Sequence, residues 1–349
     1  MEIPNIQRRI ERLILSGVLS VPKAVASFVP PHRVDGEPLC PQIQLFLGIL
    51  NGPPRPGIHE VPLEVAREQY EFICKMTDGM GPSVPRLEER RIPGPAGEIP
   101  VRIYGPVASG PALPALVYYH GGGFVLGSPD VTDAFCRRVA LGARCVVISV
   151  DYRLAPEHPF PAPVEDCLAA FGWVLDNAKG LGVDPKRVAV GGDSAGANLA
   201  TVVSILRRDA DLPGPCHQML YYPVTRPHAD TESHRLFGRG YFLEGATIDF
   251  FRESYVGKDP EDDFRTSPIL TPDLSGLPSA QVITAGFDPL RDEGREYAAR
   301  LADAGVRVQD VCEGRLIHGF VAMHFSKLAR EANARAIRRL GAELENALA

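Results

Sequence analysis

The stretch Arg187 to Ala200, RVAVGGDSAGANLA, limits what this chain can fold into more than any other. An apolar run (Val188, Ala189, Val190) meets Gly191 and Gly192, Ser194 sits between Gly192 and Gly196 in the pattern Gly-x-Ser-x-Gly, and Ala195, Ala197, Asn198, Leu199 and Ala200 open a helical run. That order is strand, sharp turn, helix. A serine at such an elbow is held in a strained backbone conformation that lifts its hydroxyl off the sheet, and a side chain two residues away on either side would collide with the turn. The pentapeptide alone also fits an ordinary Gly-rich strand-to-helix turn. A base, an acid and a set of oxyanion donors elsewhere in the chain decide between the two.

The rest of the sequence alternates. Apolar runs at Ala115 to Tyr119, Cys145 to Val150, Arg187 to Val190, Gln218 to Tyr222, Ala280 to Ala285 and Val306 to Val311 predict strands. A hairpin of Leu87 to Ile92 and Ile99 to Tyr104 precedes them around Pro93-Gly94-Pro95-Ala96-Gly97. Helical patterns lie at Thr132 to Leu141, Val164 to Ala178, Ala195 to Arg208, Arg291 to Ala304 and Phe325 to Leu348. Near-continuous apolar strands alternating with helices predict an α/β fold, a mostly parallel eight-stranded sheet covered by helices on both faces.

Two stretches break the alternation. From Asp35 to Met80 the pattern is helical, with a breaker cluster at Gly52 to Gly57; between Pro223 and Ala280 lies a segment rich in aromatics, among them Phe237, Tyr241, Phe242, Phe250, Phe251 and Tyr255. An insertion after a strand's carboxyl end lies over the edge where open α/β sheets bind ligands. The expected organisation is therefore an N-terminal extension with lid helices over 1–84 and a catalytic domain over 85–349, with a lid insertion at about 224–265.

At 349 residues, 45% of them hydrophobic, the chain can bury a sizeable core. A net charge of -6 with no Lys/Arg-rich stripe argues against nucleic acid as a partner. The seven cysteines are scattered, odd in number and never spaced Cys-x-x-Cys, so they read as reduced, mostly buried thiols, in keeping with a cytoplasmic protein. Near the N-terminus Arg8, Arg9 and Arg12 precede an apolar run that Pro22 and Lys23 break. The run is too short to span a bilayer and lacks a signal peptide's cleavage site. Residues 6–29 are expected to form an amphipathic helix packing on the body, with loose attachment to a membrane surface as the alternative. No stable membrane insertion is expected, and the sequence leaves a homodimer open.

The chemistry sits at strand ends. His120-Gly121-Gly122-Gly123-Phe124 follows the strand Ala115 to Tyr119. Acyl transfer builds negative charge on a carbonyl oxygen, and main-chain N–H groups brought close by side-chain-free residues stabilise it. No Lys-Ser/Thr follows these glycines, which excludes a P-loop. Asp288 follows the strand Ala280 to Ala285; Asp292 and Glu293 fall in the first helical turn, where acids complement the helix dipole. His318 follows the last strand. The order Ser194, Asp288, His318 is the chain order of an α/β-hydrolase triad.

HGGGF at 120–124, DYRLAPE at 151–157, GDSAGANL at 192–199, DPLRDEG at 288–294 and HGF at 318–320 together resemble the bacterial hormone-sensitive lipase family of esterases, the branch with Asp before the nucleophile. The resemblance spans about Pro41 to the C-terminus. It implies an α/β-hydrolase fold with a helical cap, Ser194 as nucleophile, Asp288 and His318 as its partners, and Gly122, Gly123 and Ala195 as oxyanion donors. Ala197 stands where the family more often has glycine.

The expected reaction is two-step hydrolysis of a small-molecule ester through an acyl-enzyme, with no metal or cofactor. Phe124, Tyr241, Phe242, Leu243 and Phe320 are the candidates for the acyl and alcohol pocket, and short to medium acyl chains are the expected substrates. Tyr152, Arg153 and Glu157 are expected to tie the strand end to neighbouring loops. An acetyl-ester or amide hydrolase with the same triad remains an alternative. Plant gibberellin receptors resemble the same family but lack the catalytic histidine; His318 favours an enzyme over a non-catalytic receptor.

Overall fold

The computed structural model describes residues 32–347 apart from 35, 53–55, 109, 227–229 and 258–262, so the helix expected over 6–29 lies outside the described residues. A two-stranded ribbon, β1 (Arg33–Val34) and β2 (Glu37–Pro38), leads into α1 (Pro41–Leu50) and α2 (Leu63–Asp78). The sheet follows: β3 (Arg86–Gly94), β4 (Gly97–Gly105), β5 (Leu113–Tyr119), β6 (Val146–Val150), β7 (Val183–Asp193), β8 (His217–Tyr221), β9 (Ser279–Phe287) and β10 (Val308–Ile317). Its spatial order is β10-β9-β8-β7-β5-β6-β4-β3. The β3–β4 hairpin is antiparallel and β4 runs antiparallel to β6; the remaining pairings are parallel. Between and after the strands lie α3 (Asp133–Gly142), α4 (Ala162–Asp176), the single turn α5 (Ala178–Leu181), α6 (Ala195–Asp209), α7 (Glu232–Phe237), α8 (Gly245–Tyr255), α9 (Arg291–Asp303) and α10 (Lys327–Asn346).

Successive side chains of a strand point to opposite faces, and here both faces are apolar. In β5, Ala115, Val117 and Tyr119 join one core, with Val164, Cys167 and Phe171 of α4, Leu199 and Val203 of α6, and Tyr297 and Leu301 of α9. Leu116 and Tyr118 join the other, with Phe135 and Val139 of α3 and Ala336 and Leu340 of α10. Helix α6 is buried from Ala195 through Ile205, as suits a central helix covered on every side. Helix α10 instead buries one stripe, Ala329, Ala332, Ala336, Ile337, Leu340 and Leu344, behind a Ser326 cap whose hydroxyl accepts the Ala329 N–H.

Several boundaries differ from expectation; the strand carrying the elbow, for one, runs from Val183 to Asp193. The last strand starts at Val308 and runs on to Ile317, the helix expected to reach Ala178 stops at Asp176, and Arg33–Val34 and Glu37–Pro38 form a ribbon where a helical pattern was expected to begin. Among the described residues no helix is long and apolar enough to cross a membrane.

Candidate active site

The register of the parallel strands sets the site. Tyr119 pairs with Gly192, Asp193 with Tyr221, Tyr221 with Ile283, and Phe287 with Ile317. Strands β5, β7, β9 and β10 therefore end in one region and deliver the residues that follow them, His120, Ser194, Asp288 and His318, to a single edge.

Ser194 stands between β7 and α6 with φ 56° and ψ -118°. A non-glycine residue there is strained by about 1–3 kcal/mol. The elbow is held by the Ser194 N–H donating to the Tyr221 carbonyl at 2.9 Å and the Asn198 N–H donating to the Ser194 carbonyl at 3.1 Å. Its tightness accounts for the glycines: a Cβ at Gly196 would lie 1.9 Å from the Tyr119 carbonyl oxygen, and one at Gly192 would lie 2.4 Å from the main chain of Gly196.

From this elbow a hydrogen-bonded chain runs inward. The Ser194 hydroxyl lies 3.0 Å from Nε2 of His318, and Nδ1 of His318 lies 2.9 Å from Oδ2 of Asp288. The other Asp288 oxygen accepts the Leu290 N–H at 2.8 Å, and all three side chains are buried. A carboxylate at Nδ1 places the imidazole proton there and leaves Nε2 to accept the serine O–H. The Tyr222 ring packs against the imidazole with centroids 4.4 Å apart, and its hydroxyl accepts the Val321 N–H.

Gly122 and Gly123 line the same cavity as Ser194, and their φ angles of 121° and 62° turn the main chain in a way that suits glycine. The loop is fixed from beneath. The Gly121 N–H and the Tyr118 hydroxyl each donate to Oδ1 of Asp193 at 2.9 Å, and the Tyr152 hydroxyl donates to the His120 carbonyl at 2.6 Å. Burial pushes the Asp193 carboxyl up to about 6 and the His120 imidazole, stacked on Tyr152, down to about 4.

Above the serine is a cavity of about 930 Å³. Its floor includes Gly122, Gly123, Asp193, Ser194 and His318; its walls and roof come from Ile49 and Leu50 of α1, Tyr70 and Ile73 of α2, and Ile248, Phe251 and Tyr255 of α8. Of the residues picked from sequence, Phe124, Phe242 and Leu243 line it. Tyr241 and Phe320 do not, which corrects that expectation. The Tyr241 ring turns away into Phe237 and Phe287 and its hydroxyl meets His32, whereas Phe242, next to it at φ 80°, faces the cavity. Phe320 is fully buried behind the histidine, edge-on to Tyr221 and Tyr222. Ala195 opens α6 directly after Ser194 with its methyl group in the core.

Arg153 pairs with Asp166 at 2.8 Å and Glu157 with Arg67 of α2 at 2.7 Å, so these residues and Tyr152 do tie loops together. Sequence reasoning gave no positional role to Asp193, Tyr222 or Asn198. For Asp193 the signal was present, an acid wedged between the glycines of a buried elbow.

The geometry has close counterparts. Residues 116–322 match the sequence model of a family described as having the alpha/beta hydrolase fold. The chain belongs to the α/β-hydrolase family. It is 45% identical over 296 residues to the carboxylic ester hydrolase LipN of Mycobacterium tuberculosis, covering 82% of this chain and 78% of that protein. It is likewise 45% identical over 265 residues to carboxylesterase NlhH of the same organism, covering 74% of this chain and 82% of the relative. Among solved structures, the ester hydrolase EH1AB1 from the Lake Arreo metagenome, in complex with a bipyridine phosphonate derivative, superposes with a TM-score of 0.84 at 44% identity over 87% of this chain and 98% of its own.

Proposed function

We propose that this α/β hydrolase is a serine carboxylesterase of the hormone-sensitive lipase branch, acting through Ser194, His318 and Asp288. The observation that carries the reading is the unbroken relay from the Ser194 hydroxyl through His318 to Asp288 on the floor of a cavity. His318 takes the serine proton as Oγ attacks the acyl carbon, and Asp288 stabilises the imidazolium that forms. The N–H groups of Gly122, Gly123 and Ala195 receive the oxyanion. His318 returns the proton to the leaving alcohol, and water repeats the cycle on the acyl-enzyme.

The cap is built from two separate stretches, the helices before residue 85 and the insertion at about 224–265. Because both roof the serine, the chamber is bounded, and the substrates are soluble monoesters with acyl chains of about C2 to C8. All seven cysteines are free, which supports a cytoplasmic location.

Ser194→Ala and His318→Ala should each lower kcat on p-nitrophenyl esters by about 10⁴- to 10⁶-fold with the fold retained, because triad members act as a unit. Labelling by an organophosphonate should vanish in Ser194→Ala. Full turnover by that variant would sink the proposal. A panel from acetate to palmitate, with an anilide added, reads the acyl preference and separates ester from amide hydrolysis.

A further inference from the structure

Val224, Thr225 and Arg226 leave the end of β8, and Val224 and Arg226 form part of the cavity wall. On one side this short strap is held to the nucleophile's turn: the Val224 N–H donates to the Ser194 carbonyl at 3.4 Å, and Nδ2 of Asn198 donates to the Val224 carbonyl at 2.9 Å. On the other side it is held by Glu293, in the first turn of α9 just past Asp288. Oε1 of Glu293 accepts the N–H of Thr225 at 2.7 Å and of Arg226 at 3.1 Å, and the Thr225 hydroxyl donates to the Glu293 carbonyl at 3.2 Å. The side chain is completely buried, and among the described residues its Oε2 meets no hydrogen-bond partner. An acid that only complements a helix dipole needs neither burial nor two main-chain donors from another element.

We propose that Glu293 is a positioning residue for the esterase reaction, holding the turn that carries Ser194 and the loop that carries Asp288 at a fixed separation through the strap Val224–Arg226. The inference rests on the triad reading above. Asp288 on the loop before α9 and Arg226 on the strap, itself paired with Glu296, are the charged groups facing it. Burial pushes the Glu293 carboxyl up to about 8, with the Asp288 charge adding to the effect, so at neutral pH it is mostly protonated. A glutamine keeps the shape and the accepting oxygen of that neutral acid; an alanine keeps neither.

Glu293→Ala and Glu293→Gln are compared with the parent enzyme at pH 7 on p-nitrophenyl butyrate, with folding followed by thermal melting. Misplacement of the reacting groups predicts that alanine lowers kcat about 10- to 100-fold while KM stays within about threefold, and that glutamine restores kcat to within about threefold of the parent. A folded alanine variant with the parent's kcat overturns the proposal, and so does a folded glutamine variant as slow as the alanine one. If alanine prevents folding, the glutamine variant decides alone: parental kcat supports the role and a slow, folded enzyme refutes it. Ser194→Ala run in parallel keeps the two readings apart, since turnover surviving there removes the triad itself whatever Glu293 does.

Discussion

Asp193 and Glu293 are carboxyls kept from water at the two ends of the same machinery, and their hydrogen bonds show what each holds. Asp193 grips the loop of the proposed oxyanion donors Gly122 and Gly123 through the Gly121 N–H and is itself gripped by the Tyr118 hydroxyl. Asp193→Ala frees both donors, and kcat should fall by about 10- to 100-fold as the loop loses its setting; an unchanged kcat in a folded variant counts against that role. Glu293 makes a linked prediction for stability. Its folded carboxyl titrates near 8, far above the ordinary glutamate range, so folding is favoured while both states are protonated. As pH rises from about 4 the unfolded chain releases this proton and the folded chain does not, so stability is lost through that window and levels off above about 8. Glutamine has no proton to lose. The melting temperature of Glu293→Gln relative to the parent should therefore climb by about 3 °C or more between pH 4 and pH 8, and a pH-independent difference would count against the shifted titration. Ser194, Asp288 and His318 were legible in the sequence because each closes a strand in a recognisable order. Glu293 was not, because its place in a helical turn has a sufficient local explanation and only the folded chain brings Thr225 and Arg226 to it.

Among the elements, α2 is fastened to the body along its length. Nε of Arg67 donates to the Val125 carbonyl at 3.0 Å and its guanidinium pairs with Glu157; Lys75 pairs with Asp130 at 2.8 Å; Asp78 pairs with Arg138. The insertion is fastened at its other end, where the Ser233 hydroxyl donates to the Pro289 carbonyl at 2.7 Å and the Ser233 N–H to Asp292 at 2.8 Å. Asp78 is the costly member. It is 3% exposed, and burial raises its carboxyl to about 6 despite the guanidinium beside it. Arg138→Ala leaves that charge buried and unpaired and should cost about 3–5 kcal/mol in chemical denaturation. Adding Asp78→Asn should recover much of the loss, whereas additive losses would mean that the pair is not coupled. Strands and long helices were legible from apolar period alone. The insertion helices were not: α7 and α8 bury little of their own surface, with Tyr255 the buried residue of α8, so no continuous stripe marks them. Nor does spacing reveal that Tyr241 and Phe242 face opposite ways, since that follows from a positive φ at Phe242.

At the scale of the whole molecule, the proposed triad stands at strand ends and much of the cavity lining comes from segments outside the sheet, so the two can be altered separately. The sheet's outer strand β3 carries Arg86, Glu88, Glu89, Arg90 and Arg91, charges that discourage pairing with another chain. If the described lining alone shapes the pocket, a chain starting at His32 keeps the parent's acyl-length profile on the p-nitrophenyl ester panel; a shifted optimum gives residues 1–31 a share in it. The crowding at the elbow has a consequence for reading other sequences. What forbids a side chain at Gly196 is a carbonyl of the neighbouring strand, 1.9 Å from where the Cβ would stand, and not the ester or its transition state. A descendant of this enzyme that had discarded its histidine and taken up some other work would still be obliged to keep both glycines. The pentapeptide is thus a witness to architecture, and evidence of catalysis has to be sought thirty residues beyond Asp288, at His318.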